Sequence, residues 1–420
     1  MSIVLGLAMR SAWNRRLTLG MTLIAIALSV ALLIGIERVR TDARQSFSKS
    51  VSGADLIVGA RSSAVQLMLY AVFRIGDATN NMRWQSFQML ESHPQVAWAV
   101  PLSLGDSHRG FPVLGTRQTY FDHFRYGESK ALALKDGRRF EGLFDAVIGF
   151  DVAERLGYAV GSRIVLNHGA GAVSLAAHED KPFTVVGVLE RTGTPVDRTV
   201  HVSLEAIEAI HLDWQGGAPI PGLSIPAEFV RKFDLSPKQI TAALVGLKNR
   251  AAVFAVQRQV NGHAGEPLLA VLPGVALDDL WQIVGVAERT LLAISAMVIA
   301  VGLTGLVAVI LSGLNERRRE LAVLRAVGAS PKVIFALLTL EGLFMTVLGA
   351  LSGLMLLFAA TLVLGPFAEA RYGVAISLRL VSPAELALLG VVIGVGLVAS
   401  LFPGYRAYRM SLADGLTPRT

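Results

Sequence analysis

The chain has 420 residues, of which 53% are hydrophobic and only 17% charged, and its mean hydropathy is positive; this composition excludes an ordinary soluble enzyme and implies a membrane protein. The net charge of +7 would suggest nucleic acid in a soluble protein, but the basic residues crowd the ends of apolar segments, where they orient a chain in a bilayer. With no cysteine, thiolate metal sites, disulfides and cysteine nucleophiles are excluded, and an exported domain must hold together by its core alone.

The first apolar stretch runs from Leu17 to Ile36, close to the roughly 20 residues that a hydrocarbon layer about 30 Å thick requires of a helix. Arg10, Arg15 and Arg16 precede it like the leader of a signal peptide. The core is too long for one, however, and no small-residue cleavage site precedes the charged ERVR, so residues 1–36 read as an N-terminal segment and an uncleaved first span. Apolar positions then continue at Ile36, Val39, Ala43, Phe47 and Val51, a helical spacing that extends the span as a stalk.

Residues 37–285 hold the stalks and a large polar domain of α+β type. ADLIVGA, AVIGF, SRIVL, KPFTVVGVLE and RTVHVSL are short, rich in Val and Ile and bounded by Gly, Asp or Pro, which predicts strands. SSAVQLMLYAVFR and MRWQSFQMLESH predict helices, the first capped by Ser62 or Ser63. QITAALVGLKN, RAAVFAVQRQVNG and EPLLAVLP follow as strand, helix and strand. The stretch GGAPIPGLSIP, residues 216–226, is a loop, read as a surface excursion with a partner-facing insert as the alternative.

Leu280, Ile283, Val284 and Ala287 carry a second stalk into the second span, residues 286–314; a helix from Asp278 to Leu314 would be on the order of 55 Å long. The charged block NERRRELAVLRAVGASPKVI then occupies 315–334. Asn315 can cap a short helix, Glu316 suits its positive end, Leu321, Leu324 and Val327 form an apolar seam, and Gly328 supplies the stop before Ser330 and Pro331 open the next helix. Residues 315–332 thus read as an amphipathic helix at the membrane surface whose seam fits a protein groove and whose arginines can also meet anionic lipid. The third span is 333–364, a short loop 365–384, the fourth span 385–403 and a tail 404–420.

Arginines and lysines before the first span, between the second and third, and after the fourth all fall on one side, which places both termini in the cytoplasm and the large domain outside it. Arg371 and Arg379, in the short outer loop, run against this rule. No GxxxxGK[ST] phosphate loop is present, so an ATP-driven role needs a separate ATPase; GxSxG and HExxH are absent too, and no catalytic residue is expected. The eight histidines are scattered, and His178, Glu179 and Asp180 read as a solvated turn rather than a metal site. Glu341 is the one ionisable residue assigned to the interior of a span, roughly 12–15 Å along the third helix from Pro331, with a neighbouring subunit or Arg325 as its expected partner.

NERRRELAVLRAVGASPKVIFALLTLEGLFMTVLGALSGL resembles the signature of the FtsX/MacB-type permeases of bacterial ABC transporters (type VII, mechanotransmission), in which a charged RRRE-type run, an LRAxGAS segment and a Glu-containing, glycine-rich span follow in order. PGYRAYRMSLADGL is similar to that family's tail, and AVIGFDVAERLGYAVGSRIVL and FTVVGVLERTGTPVDRTVHV resemble its exported domain. The resemblance implies a membrane α-helical protein with four transmembrane helices and a large MacB-like α+β periplasmic domain on helical stalks. It further implies a homodimer in the bacterial inner membrane, bound to a cytoplasmic ABC ATPase dimer that holds the ATP and Mg. Glu316, Arg317, Arg318, Arg319, Glu320, Leu321, Leu324, Arg325 and Gly328 would then form the ATPase-coupling element, and Glu341 matches the family's acidic position in span three. The implied work is export or extraction of a substrate, with a periplasmic protein or lipoprotein as further partner. The alternative is an FtsX-like transmitter that activates a cell-wall hydrolase without transport.

Overall fold

The computed structural model describes residues 16–409 except 51–52, 128, 170–175, 216–217, 221–224, 317, 373–378 and 380. Arg10, Arg15, Arg317, the tail beyond Arg409 and most of the 216–226 loop therefore lie outside the described residues, and Arg371, expected in a short loop, falls within a helix that runs to Tyr372. The chain divides into two units, Met1–Ala43 with Gly285–Thr420, and Arg44–Val284.

The first unit is helical: α1 Arg16–Lys49, α2 Pro273–Glu316, α3 Arg318–Ala326, α4 Pro331–Tyr372 and α5 Pro383–Tyr408. All but α3 are long and apolar enough to cross a membrane. The unit boundaries fall inside α1 and α2, which continue unbroken for 34 and 44 residues, as the extended apolar spacing predicts. One expectation fails at the end of α2: Asn315 does not cap a new helix, because α2 runs through it to Glu316. Helix α5 runs on beyond the span assigned to 385–403 and carries Pro403 inside its last turns.

Within lipid, apolar burial gives no drive for helices to associate, so close packing by small residues takes over. Gly349 and Gly353 lie one turn apart on α4; a Cβ on Gly353 would sit 2.6 Å from the Ala27 carbonyl oxygen and 2.9 Å from the Val30 Cβ of α1. On α5 the series Gly396, Ser400, Gly404 meets α4 in the same way, with a Cβ on Gly396 falling 2.6 Å from Thr346 Oγ1. Thr346 and Ser400 return their hydroxyl protons to the carbonyls of Gly342 and Gly396, at 2.9 and 2.7 Å, which satisfies both of these donors inside the packed contact. Ile26, Val30, Leu33 and Ile34 of α1 are buried in the helical cluster, while Leu17, Met21, Ile24 and Leu28 form an exposed apolar stripe of the kind lipid covers.

The second unit is built on one large mixed sheet. Its main strands are β1 Leu56–Ala60, β2 Val96–His108, β3 Phe111–Thr116, β4 Leu134–Gly137, β5 Asp145–Ile148, β6 Asn167–His168, β7 Phe183–Leu189, β8 Val200–Ser203, β9 Ala242–Leu247 and β10 Leu268–Val271. The order is β10-β1-β9-β2-β3-β8-β5-β7-β4, with β6 paired off β2. Leu56 and Val58 enter one core cluster and Ile57 the other, so β1 is buried on both faces, which is why its sequence is a continuous apolar run. The predicted strand–helix–strand near the end is β9, helix Val253–Asn261 and β10. Ser63, not Ser62, caps the helix Ala64–Ala71, accepting from the Gln66 amide at 3.0 Å. The predicted strand SRIVL shrinks to Arg163–Ile164. The longest described strand, β2, has a weak local signal because Pro101 and Gly105 interrupt its sequence; Pro101 pairs in register with Ala243, and Gly105 falls in a register shift between Leu104 and Ser107.

Candidate functional site

The charged block folds much as its local signals dictate. Helix α3 ends in a Schellman arrangement: Gly328 takes φ +104°, its amide donates to the Arg325 carbonyl at 3.1 Å, and the Ala329 amide donates to the Leu324 carbonyl at 3.0 Å. Pro331 opens α4 directly afterwards, so α3 is held between two spans by a turn of only a few residues.

The faces of α3 differ from the expected seam. Leu321 is buried within the helical unit's own apolar cluster, and Leu324 packs against it. Both leucines therefore pack α3 against its own unit. The outward apolar positions are Val323 and Val327, 61% and 85% exposed and four residues apart. Glu316, Arg318, Arg319 and Glu320 lie along the same segment, with Glu316 closing α2 and the other three opening α3. Glu341 lies on α4, half-buried, and both it and Arg325 are engaged with other groups.

A second charged site escaped the sequence reading. Arg38 of α1 and Glu385 of α5 form a buried two-bond pair, Nε to Oε1 and Nη2 to Oε2, each 3.1 Å, with side chains 4% and 0% exposed. Glu385 also completes a capping box with Ser382, accepting the Ser382 amide at 2.9 Å while its own amide donates to the Ser382 hydroxyl at 3.2 Å. Arg379 stands 3.5 Å from Asp42 and 3.8 Å from Glu385. The apparent exception to the charge rule at Arg379 is thus answered locally by two carboxylates. Arg38 and Glu385 lie at the ends of the first and fourth spans rather than in their interiors, and their separation of 347 residues hid the pair.

In the large domain the turn read as solvated is partly wrong. Glu179 and Asp180 are exposed, but His178 is 1% and Lys181 0% exposed. Lys181 Nζ donates to Asp180 at 2.6 Å and to Asp213 at 2.9 and 3.0 Å. The histidines are not all scattered either, for His168, His178 and His211 converge with Asp106. Burial works to raise the Asp106 carboxyl, but hydrogen bonds with His168 and His211 outweigh it and hold the group down at about 2. Burial pushes the His178 imidazole down to about 4, with the nearby His211 adding to the effect.

Residues 19–262 match the family model of the MacB-like periplasmic core domain, and residues 292–412 that of the FtsX-like permease C-terminal region. The lipoprotein-releasing system transmembrane protein LolC of Neisseria meningitidis serogroup B is 24% identical over 295 residues, covering 66% of this chain. The chain spans 65% of that relative's length. Two solved structures are similar over part of the chain. The periplasmic region of MacB from Actinobacillus actinomycetemcomitans has 10% identity and a TM-score of 0.33, covering 56% of this chain and 97% of that one. The extracellular domain of the noncanonic ABC-type transporter YknZ from Gram-positive bacteria has 14% identity and a TM-score of 0.29, covering 52% and 98%.

Proposed function

Because the chain belongs to the FtsX/MacB-type family of ABC-transporter permeases, we propose that it is the permease subunit through which a separate cytoplasmic ATPase does conformational work on the far side of the bacterial inner membrane. The single observation that carries this reading is α3, a short helix pinned between two spans by Leu321 and Leu324, with Val323 and Val327 turned outward. A helix anchored to its own unit on one face and apolar on another can transmit a push received from a bound partner. The arginines beside it orient the segment to the cytoplasm. Two copies of the chain would bind two ATPase subunits, which supply ATP and Mg chemistry; this chain contributes the docking helix and the helices that move. The role printed for the similar LolC protein favours a lipoprotein as the material extracted.

Co-purification of the membrane-extracted protein with its ATPase tests the reading. Val323→Asp with Val327→Asp is expected to reduce co-elution about tenfold, equivalent to about 1.4 kcal/mol, while leaving the permease itself as heat-stable as before. Undiminished co-elution would remove α3 from the interface. Leu321→Asp is expected instead to destabilise the permease, since it puts a charge into a packed cluster.

A further inference from the structure

The large domain brings four potential metal ligands together from four separate elements. Asp106 lies in β2 within the irregular stretch between Leu104 and Ser107, where the ladder with β3 shifts register and side chains are re-aimed. His168 lies opposite it on β6, paired in register with Asp106. His211 follows the helix Leu204–Ile210, and His178 follows the short strand Ala176–Ala177. His168 Nδ1 is 3.0 Å from His211 Nε2 and 3.2 Å from Asp106 Oδ1, and His211 Nε2 is 3.5 Å from the same oxygen. Ligands held about 2.0–2.1 Å from a tetrahedral zinc ion stand about 3.3 Å apart, so these three atoms already lie close to the edges of such a polyhedron. One ligand atom from each of the four residues lies within 4.8 Å of all the others.

We propose that Asp106, His168, His178 and His211 form a binding site for a divalent transition-metal cation of the zinc type. Two further observations point to a ligand. His178 is 1% exposed, yet neither of its ring nitrogens has a hydrogen-bond partner among the described residues. A buried polar atom left in that state is destabilising, and coordination would remove the cost. His211 Nδ1 lies 2.8 Å from the Ile207 carbonyl; with its proton donated there, the ring can offer the Nε2 lone pair to a cation bound between it, Asp106 and His168, in place of the hydrogen bond it makes to Asp106 without one. That is the outer-shell hydrogen bond by which metal-binding histidines are usually fixed. Trp214 closes the apolar side, with its ring 4.3 Å from that of His178 and 5.2 Å from that of His168. Three nitrogens and one carboxylate suit zinc, whereas calcium and magnesium prefer a shell of oxygens.

The test uses the full-length, tag-free protein in detergent, stripped with chelator and dialysed against zinc chloride. After gel filtration, elemental analysis is expected to find about one zinc per chain. His168→Gln and His178→Gln are each expected to weaken retention about tenfold or more, with unchanged elution volume as the check on folding. Half-exposed His168 is the safer substitution, and cobalt chloride gives an independent reading on the unaltered protein, since a tetrahedral site produces intense visible d–d bands. Zinc content equal in wild type and both variants, whether high or absent, would overturn the site, as would a cobalt spectrum no different from that of the free aqueous ion.

Discussion

At the scale of single residues, the most consequential contact is the Arg38–Glu385 pair. Two charges removed from water attract each other strongly enough to offset their desolvation only when geometry is good, and this pair has two parallel bonds of 3.1 Å plus the Ser382 amide. Removing one partner strands the other. Arg38→Met or Glu385→Met alone is therefore expected to cost about 3–5 kcal/mol, while the double substitution recovers most of the loss; a double-mutant cycle on thermal unfolding in detergent measures it. Additive losses would show that the two side chains act separately. His201, in β8, carries a second prediction. It is fully buried, and that burial, reinforced by the positive charge of Arg74, pushes its imidazole down to about 3. From an ordinary value near 6.5 down to about 3, only the unfolded chain takes the proton, so the stability from neutral His201 is complete above about pH 6.5 and drains away as pH falls. His201→Phe should flatten that decline by several kcal/mol, read as the difference in denaturant midpoint between pH 7.5 and 4.5 in the two proteins. Parallel curves would place the acid sensitivity elsewhere.

Among the elements, the glycine contacts are the most exacting. A methyl group on Gly353 meets the Ala27 backbone, which cannot rotate away, whereas one on Gly390 meets nothing within 4 Å. Gly353→Ala is expected to destabilise the helical unit by about 1–3 kcal/mol despite improved helix propensity, and Gly390→Ala to be neutral or stabilising by up to about 1 kcal/mol. Equal melting temperatures for the two variants would contradict the α1–α4 packing. The elements also show what was legible beforehand. The four long apolar helices, the stop at Gly328 and strands such as Leu56–Ala60 followed from runs, caps and periodicity, which are local properties of the chain. Strand β2 did not, because proline and glycine in a strand weaken the local signal and its other edge pairs with β9, more than 130 residues away. The α3 seam was half legible. Spacing placed Leu321 and Leu324 on one face, but which partner that face meets depends on α2 and α4.

In the whole molecule, the same division separates what composition announces from what folding assembles. Membrane class and family were readable from hydropathy and the block at 315–334; the clustering of Asp106, His168, His178 and His211 was not, because four elements deliver one ligand each and no spacing rule links them. The unbroken helix Pro273–Glu316 has a consequence of another kind. Forty-four residues make a rod of roughly 66 Å, and after Pro273 it contains no further proline to soften it. Treated as a lever, a tilt of about 5° at one end sweeps the other through about 6 Å, more than a full helical turn. A displacement at one tip too small to alter local packing would thus arrive at the opposite tip as a movement the size of a side chain.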